Sequence, residues 1–221
     1  MSRLKSTVLV GIPLATACAS SHHHDGSGFH HRFDNPAKWA ETFDAADRDA
    51  WQHPDELVAV MEIGPGMSVA DIGAGTGYFL PYLSRAVGDA GKVHALDIEA
   101  EMVEYMRARA QREVLSNVVA RQVDPNDPGI APSSVDRIVI IDTWHHIDQR
   151  PAYAKKLFDA LKPGGTVCIV DFTLEAEQGP PREHRLAPER VIEELGTAGL
   201  QASVVHEELP DQYVVCGKRA S

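Results

Sequence analysis

From position 68 onward, short apolar runs alternate with stretches whose apolar residues recur every three or four positions, the periodicities of strands and helices. Segments 68–72, 92–96, 117–123, 135–141 and 166–170 read as strands, the last with the nearly continuous apolar content of a strand buried on both faces. Helical patterns lie between them at 76–87 and 100–114, where Val103, Met106, Ala110 and Val114 share one face. A further helical face carries Tyr153, Leu157, Ala160 and Leu161, and the breakers Lys162-Pro163-Gly164-Gly165 end it. After a helix at 188–198, strands at 202–206 and 212–216 are separated by Leu209-Pro210-Asp211, short enough for a hairpin. Repeated strand-helix alternation predicts an α/β fold. Its sheet is mostly parallel and seven-stranded, with an antiparallel strand near one edge and helices on both faces. Ahead of it, Trp39, Phe43 and Trp51 recur at helical spacing over 36–51, and Pro54-Asp55-Glu56 opens another helix. Residues 34–63 thus read as a helical lid before a main domain at 64–221.

The first residues have a different pattern. Arg3 and Lys5 precede an apolar run, and Leu14-Ala15-Thr16-Ala17 brings small residues up to Cys18. This is the layout of a signal peptide over 1–17, too short to remain as a membrane-spanning helix. It resembles a bacterial lipoprotein leader, which implies lipidation of Cys18, membrane attachment and a place in the cell envelope; an unused leader would leave the chain in the cytoplasm. Ala15 stands where such leaders usually carry a large apolar residue. Residues 18–33, with five histidines among Ser and Gly, read as a flexible tether, the alternative being a metal-loading tail.

With 21 Lys and Arg against 32 Asp and Glu among 221 residues, the net charge is −11. No basic cluster offsets that balance, so gripping nucleic-acid phosphates is excluded as the main task. Cys168 and Cys216 each lie inside an apolar run and read as buried, inert thiols. The cysteine spacings match no metal site.

The chemistry concentrates after the first strand, at Asp71-Ile72-Gly73-Ala74-Gly75-Thr76-Gly77-Tyr78. In an open α/β sheet, ligands sit beyond the carboxyl ends of the strands, and glycines there permit a sharp turn and close approach. Tyr78 stands where a dinucleotide fingerprint has its last glycine, which disfavours a pyrophosphate. Asp97 ends the second strand, where a carboxylate can accept both hydroxyls of a ribose. Ribose without pyrophosphate points to S-adenosylmethionine.

At these residues the chain resembles the class I S-adenosylmethionine-dependent methyltransferases, of the small-molecule branch that includes the ubiquinone/menaquinone methyltransferases. Residues 69–77, Asp97 and Leu161-Lys162-Pro163-Gly164-Gly165 carry the likeness, in the family's order. It implies a Rossmann-like fold and S-adenosyl-L-methionine as the cofactor. Gly73, Gly75 and Gly77 would contact its methionine part, Asp71 would orient its amino group, and Asp97 would hold its ribose. Ile98 and Met102 would pack near the adenine, and Asp124 would accept from the adenine amino group. The pattern around Asp124, Asp124-Pro125-Asn126-Asp127-Pro128, departs from the family's.

The fourth strand leads into Asp142-Thr143-Trp144-His145-His146, which the resemblance places opposite the sulfonium. Asp142 would bind the cofactor's ammonium, and Thr143 and Trp144 would line the methyl channel. His145 or His146 could deprotonate an acceptor, or one could pack while the other shapes the pocket. Asp171, Arg182, His184 and Arg185 form a second cluster, whose arginines would either pair an acidic acceptor or stand in a solvated loop. Trp39, Phe43 and Trp51 either cover the acceptor or pack their own helices. The expected activity is methyl transfer to an O, N or C nucleophile of a small organic acceptor. The alternative is an exported, lipid-anchored binding protein without turnover. The lack of a Tyr-x-x-x-Lys pair argues against a nicotinamide dehydrogenase on the same fold.

Overall fold

The computed structural model describes residues 35–205 and 209–221; the leader, Cys18, the tether and His206 lie outside them. Three helices come first: α1 (Pro36–Phe43), α2 (Arg48–Gln52) and α3 (Pro54–Val60). The Asn35 side chain caps α1 by accepting from the Lys38 N–H, with Pro36 in the first turn. The single helical run expected over 36–51 is broken after Phe43. There the Asp44 carboxylate accepts from Thr76 and Arg109, and the Phe43 carbonyl accepts from Arg48. These bonds to side chains outweigh continuing the backbone ladder.

The main domain then runs β1 (Ser68–Ile72), α4 (Leu80–Val87), β2 (Lys92–Asp97), α5 (Ala100–Arg112), β3 (Val118–Gln122) and β4 (Val135–Ile141). It continues with α6 (Arg150–Ala160), β5 (Leu161–Phe172), α7 (Pro188–Thr197), β6 (Gln201–Val205) and β7 (Gln212–Lys218). The seven strands form one sheet in the order β3-β2-β1-β4-β5-β7-β6, parallel except for β7, which runs antiparallel to both neighbours. Alternate strand residues feed two cores. Val69, Val139, Cys168 and Val170 face α4 and α5, while Ala70, Ile138, Ile140, Val167 and Ile169 face α6 and α7. Leu80, Leu83 and Val87, all 0% exposed, give α4 its buried stripe. Among the described residues, no helix is long and apolar enough to cross a membrane.

Three boundaries differ from the sequence pattern. The helix expected at 76–87 begins only at Leu80, because the glycine loop continues to Phe79. Helix α5 stops at Arg112 and leaves Val114 82% exposed, off the face assigned to it. Strand β5 starts at Leu161, so Lys162-Pro163-Gly164-Gly165 lies within a strand whose register to β4 shifts between Val135 and Arg137. The cysteines also require a correction. Cys168 and Cys216 face each other in the β5–β7 register and form a disulfide, not two inert thiols.

Candidate functional site

Strand order reverses between β1 and β4, and ligands of such sheets lie in the crevice beyond that point. The residues gathered there come from five strands or their ends: Asp71 on β1, Asp97 on β2, Asp142 after β4, Asp171 on β5 and Gln212 on β7. Because β7 is antiparallel, its first residue, not its last, reaches this edge. The loop after β1 is shaped by its contacts. Gly73 has φ +72, and a Cβ there would collide with the Thr143 side chain. Gly77 has φ +78, and a Cβ there would meet Leu80 Cδ1 at 2.6 Å and Met106 Cγ at 3.1 Å, so helix packing also requires a glycine at this position.

Asp97 ties this loop to β2. One carboxylate oxygen accepts from the Gly75 N–H at 2.9 Å and the other from the Glu99 N–H at 3.0 Å. Burial raises its pKa, against the pull of those N–H donors. Asp71 is pushed up to about 7 by burial first and then by the charge of Asp97, with Arg48 acting in the opposite sense. Asp142 is raised to about 6 by burial, opposed by Arg48, while Asp171 reinforces the rise. These desolvated carboxylates favour a ligand that brings positive charge.

The raised Asp71 has a definite effect on stability. Its pKa when unfolded is 3.8 and when folded about 7, so the folded chain holds the proton more tightly. Its contribution to stability is complete below pH about 4 and is lost as the pH rises through 7, at up to roughly 1.4 kcal/mol per pH unit. Asp71→Asn is therefore expected to gain stability relative to the parent chain between pH 5 and pH 8. Denaturant unfolding of the ligand-free proteins at the two pH values measures this. A difference that stays constant between them would contradict the burial argument.

The N-terminal helices close over the same crevice. Arg48 and Gln52 both reach Asp142, at 3.4 Å and 3.2 Å, and Gln52 also donates to Gln212 at 3.1 Å. Gln212 donates to the other oxygen of Asp142. The Phe43 ring lies 3.7 Å from where a Cβ on Gly75 would stand, and Trp51 packs on Phe172. Asp49 accepts from Tyr78 and Tyr82. Of these contacts, Arg48, Gln52 and Gln212 had not been singled out in the sequence. Arg48 and Gln52 are four apart, the spacing that puts two side chains on one helical face, and no signal marks Gln212.

After β4, Asp142 adopts φ +53, unusual for a residue with a side chain. The Thr143 hydroxyl is bonded to the Ile141 carbonyl at 2.9 Å, beside Gly73. Trp144 does not line a channel. It is 0% exposed, and its indole N–H donates to buried Glu194, which Arg150 and Arg190 also hold. His145 is buried with its Nδ1 at 2.8 Å from Asp171 Oδ1, and Asp171 also accepts from the Phe172 N–H. The ring of His146 lies against that of His145, tilted by 44° with the centroids 4.2 Å apart.

The remaining expected residues divide. Ile98 is 46% exposed beside Asp97, an open apolar surface, whereas Met102 is sealed in the core at 1% and offers none. Asp124 is exposed and accepts from the Asn126 N–H, which forms a local turn. Arg185 is not available to an acidic acceptor, because its guanidinium is taken up by the carbonyls of Thr173, Ala176, Gln178 and Pro180. Arg182 is exposed and pairs with Glu175, and His184 lies with it in a short 3₁₀ turn. Of this cluster, Arg185 organises its own loop.

Asp71, Asp97 and Asp142 meet the demands of S-adenosylmethionine: two desolvated acids for a cation, a carboxylate for a diol, and Ile98 as apolar cover. Comparison with known proteins agrees. A family model described as a methyltransferase domain matches residues 63–203. Among curated proteins, the chain is 27% identical over 133 residues to the ubiquinone/menaquinone biosynthesis C-methyltransferase UbiE of Shewanella oneidensis, covering 60% of this chain and 53% of that one. The chain spans about half the length of that relative. Among solved structures, a SAM dependent methyltransferase from Aquifex aeolicus superposes with a TM-score of 0.78 at 30% identity, covering 83% of this chain and 98% of that one. Haemonchus contortus phosphoethanolamine N-methyltransferase 2, solved with S-adenosylhomocysteine, shares the fold at a TM-score of 0.65 and 15% identity, over 87% of this chain and 61% of that one. The chain thus belongs to the methyltransferase domain family, among the class I small-molecule methyltransferases.

Proposed function

We propose that this protein transfers the methyl group of S-adenosylmethionine to an O, N or C nucleophile of a small organic acceptor. The observation that carries the proposal is the convergence of Asp71, Asp97 and Asp142 around the glycine loop at the switch point. Asp97 would hold the ribose hydroxyls with the lone pairs that Gly75 and Glu99 leave free. Asp71 and Asp142 would face the ammonium, Gly73 and Gly75 would lie along the methionine part, Ile98 would cover the adenine, and Asp124 would accept from its amino group. When bound, S-adenosylmethionine supplies an electrophilic methyl on a good leaving group, so alignment of the acceptor contributes much of the rate. Thr143 stands beside the loop at the end where the acceptor would enter.

His145 is the group suited to take a proton. With Nδ1 donating to Asp171, its Nε2 is left as the acceptor. Calorimetric titration of the full chain with S-adenosylmethionine and S-adenosylhomocysteine, with NADH as control, tests the proposal. Micromolar binding of the first two without NADH is expected; NADH binding, or none, would sink it.

We further propose that the chain works in the cell envelope. The Cys168–Cys216 disulfide supports this, since such bonds persist in oxidising compartments. The two cysteines are 48 residues apart, and opening a loop of that size costs roughly 2–4 kcal/mol. Reduction should therefore lower the melting temperature by roughly 5–15 °C. Two free thiols in protein isolated from the envelope would count against this placement.

A further inference from the structure

Tyr78 departs from the glycine of a dinucleotide loop, and besides bonding Asp49 through its hydroxyl it presents its ring to a cation. Its ring carries Arg48, whose guanidinium carbon lies 4.1 Å from the ring centroid. Arg48 is itself a buried cation, 9% exposed, and desolvation pushes its pKa below the ordinary value. Its partners are poorly matched to that charge. Nε donates to the neutral Gln52 side chain, another nitrogen donates to the Phe43 carbonyl, and the one carboxylate contact, to Asp142, is long at 3.4 Å. A guanidinium has more N–H groups than these bonds use. The cation–π contact with Tyr78 anchors this group, and a planar fork is the donor that fits a carboxylate at two points.

We propose that Arg48, anchored by Tyr78, is the seat for the carboxylate of the ligand's amino-acid end, with Asp142 beside it for the ammonium. This rests on the S-adenosylmethionine reading of the site. An α-amino acid head is a zwitterion whose two charges sit a few ångströms apart, and Arg48 and Asp142 present the opposite charges at 3.4 Å. Among the described residues, Arg48 is the arginine that faces this group of acids. Arg185 is held by loop carbonyls and Arg150 by Glu194. A nucleoside without the amino-acid head would gain nothing from either charge.

The test compares S-adenosylhomocysteine with 5′-methylthioadenosine, which lacks that head, by calorimetry on the parent chain, Arg48→Gln and Arg48→Lys. Arg48→Gln should bind S-adenosylhomocysteine about thirtyfold more weakly and methylthioadenosine within threefold of the parent. Arg48→Lys, which keeps the charge without the fork, should fall between. Equal losses for both ligands would mark Arg48 as only structural, and unchanged or tighter binding of S-adenosylhomocysteine would mark it as an occupant the ligand displaces; each overturns the proposal. Should Arg48→Gln fail to fold, the parent chain still decides. Decarboxylated S-adenosylmethionine keeps the ammonium and sulfonium, and it should bind at least tenfold more weakly than S-adenosylmethionine. Equal affinities would refute the carboxylate seat while leaving the methyltransferase reading intact. Failure of the parent chain to bind S-adenosylmethionine at all would remove that reading and this one together.

Discussion

Asp97→Ala is expected to weaken S-adenosylmethionine binding at least a hundredfold while the chain still folds. A hydrogen bond to a charged group contributes roughly 1.5–3 kcal/mol, and a ribose diol would make two to this carboxylate. The cost to the fold is smaller because opposing effects meet at this residue. Removing the carboxylate leaves the Gly75 and Glu99 N–H groups without their acceptor. It also removes a buried charge that pushes the pKa of Asp71 upward. Calorimetry reads the affinity, and a thermal melt confirms the fold. Binding within threefold of the parent chain would show that the ribose lies elsewhere. Where binding is lost, Asp71 should also titrate closer to its ordinary range, which carbon-detected NMR of the side chain can follow.

The second large effect concerns the proton. With an acceptor whose nucleophile must lose a proton, His145→Asn should lower kcat by roughly 10²–10⁴, the range that a positioned base contributes. S-adenosylhomocysteine affinity should stay within threefold. Asp171→Asn should lower kcat in the same direction without removing the imidazole, because an amide at that position no longer selects the tautomer with a free Nε2. Truncating His145 to alanine is a poorer experiment, since it would strand buried Asp171 without its partner. His146→Asn should cost less than tenfold. An acceptor with no proton to lose, such as a tertiary amine, should be indifferent to all three changes. Equal sensitivity of both acceptor types would assign His145 to packing.

The strand-helix alternation made the architecture legible in the sequence, and each of the seven strands overlaps the apolar run that predicts it, although β5 begins earlier, at Leu161. The antiparallel strand could be placed near an edge because Leu209-Pro210-Asp211 leaves room only for a tight return. The acids at strand ends were legible too, since strand ends in such a sheet share one rim. Partners distant in sequence were not. Trp144 reads as a pocket aromatic beside His145, yet Glu194 on α7 draws its indole into the core. Arg185 reads as an anion binder, but four carbonyls of its own loop take the guanidinium. Facing cysteines on β5 and β7 become a pair only once the register is known. Arg48 went unremarked because its meaning depends on Tyr78 and Asp142, neither of them near it along the chain.

The bond between Gln52 and Gln212 joins positions 160 residues apart. Contacts of that span form late, after nearer segments have condensed and the entropy of closing the long loop has been met. The rim of the crevice is therefore completed only when β7 pairs with β5 and brings Gln212 to α2. A chain ending at α7 would carry the glycine loop and its acids without the two bonds by which Gln212 ties Gln52 to Asp142, so the hairpin braces the rim without itself supplying a ligand contact.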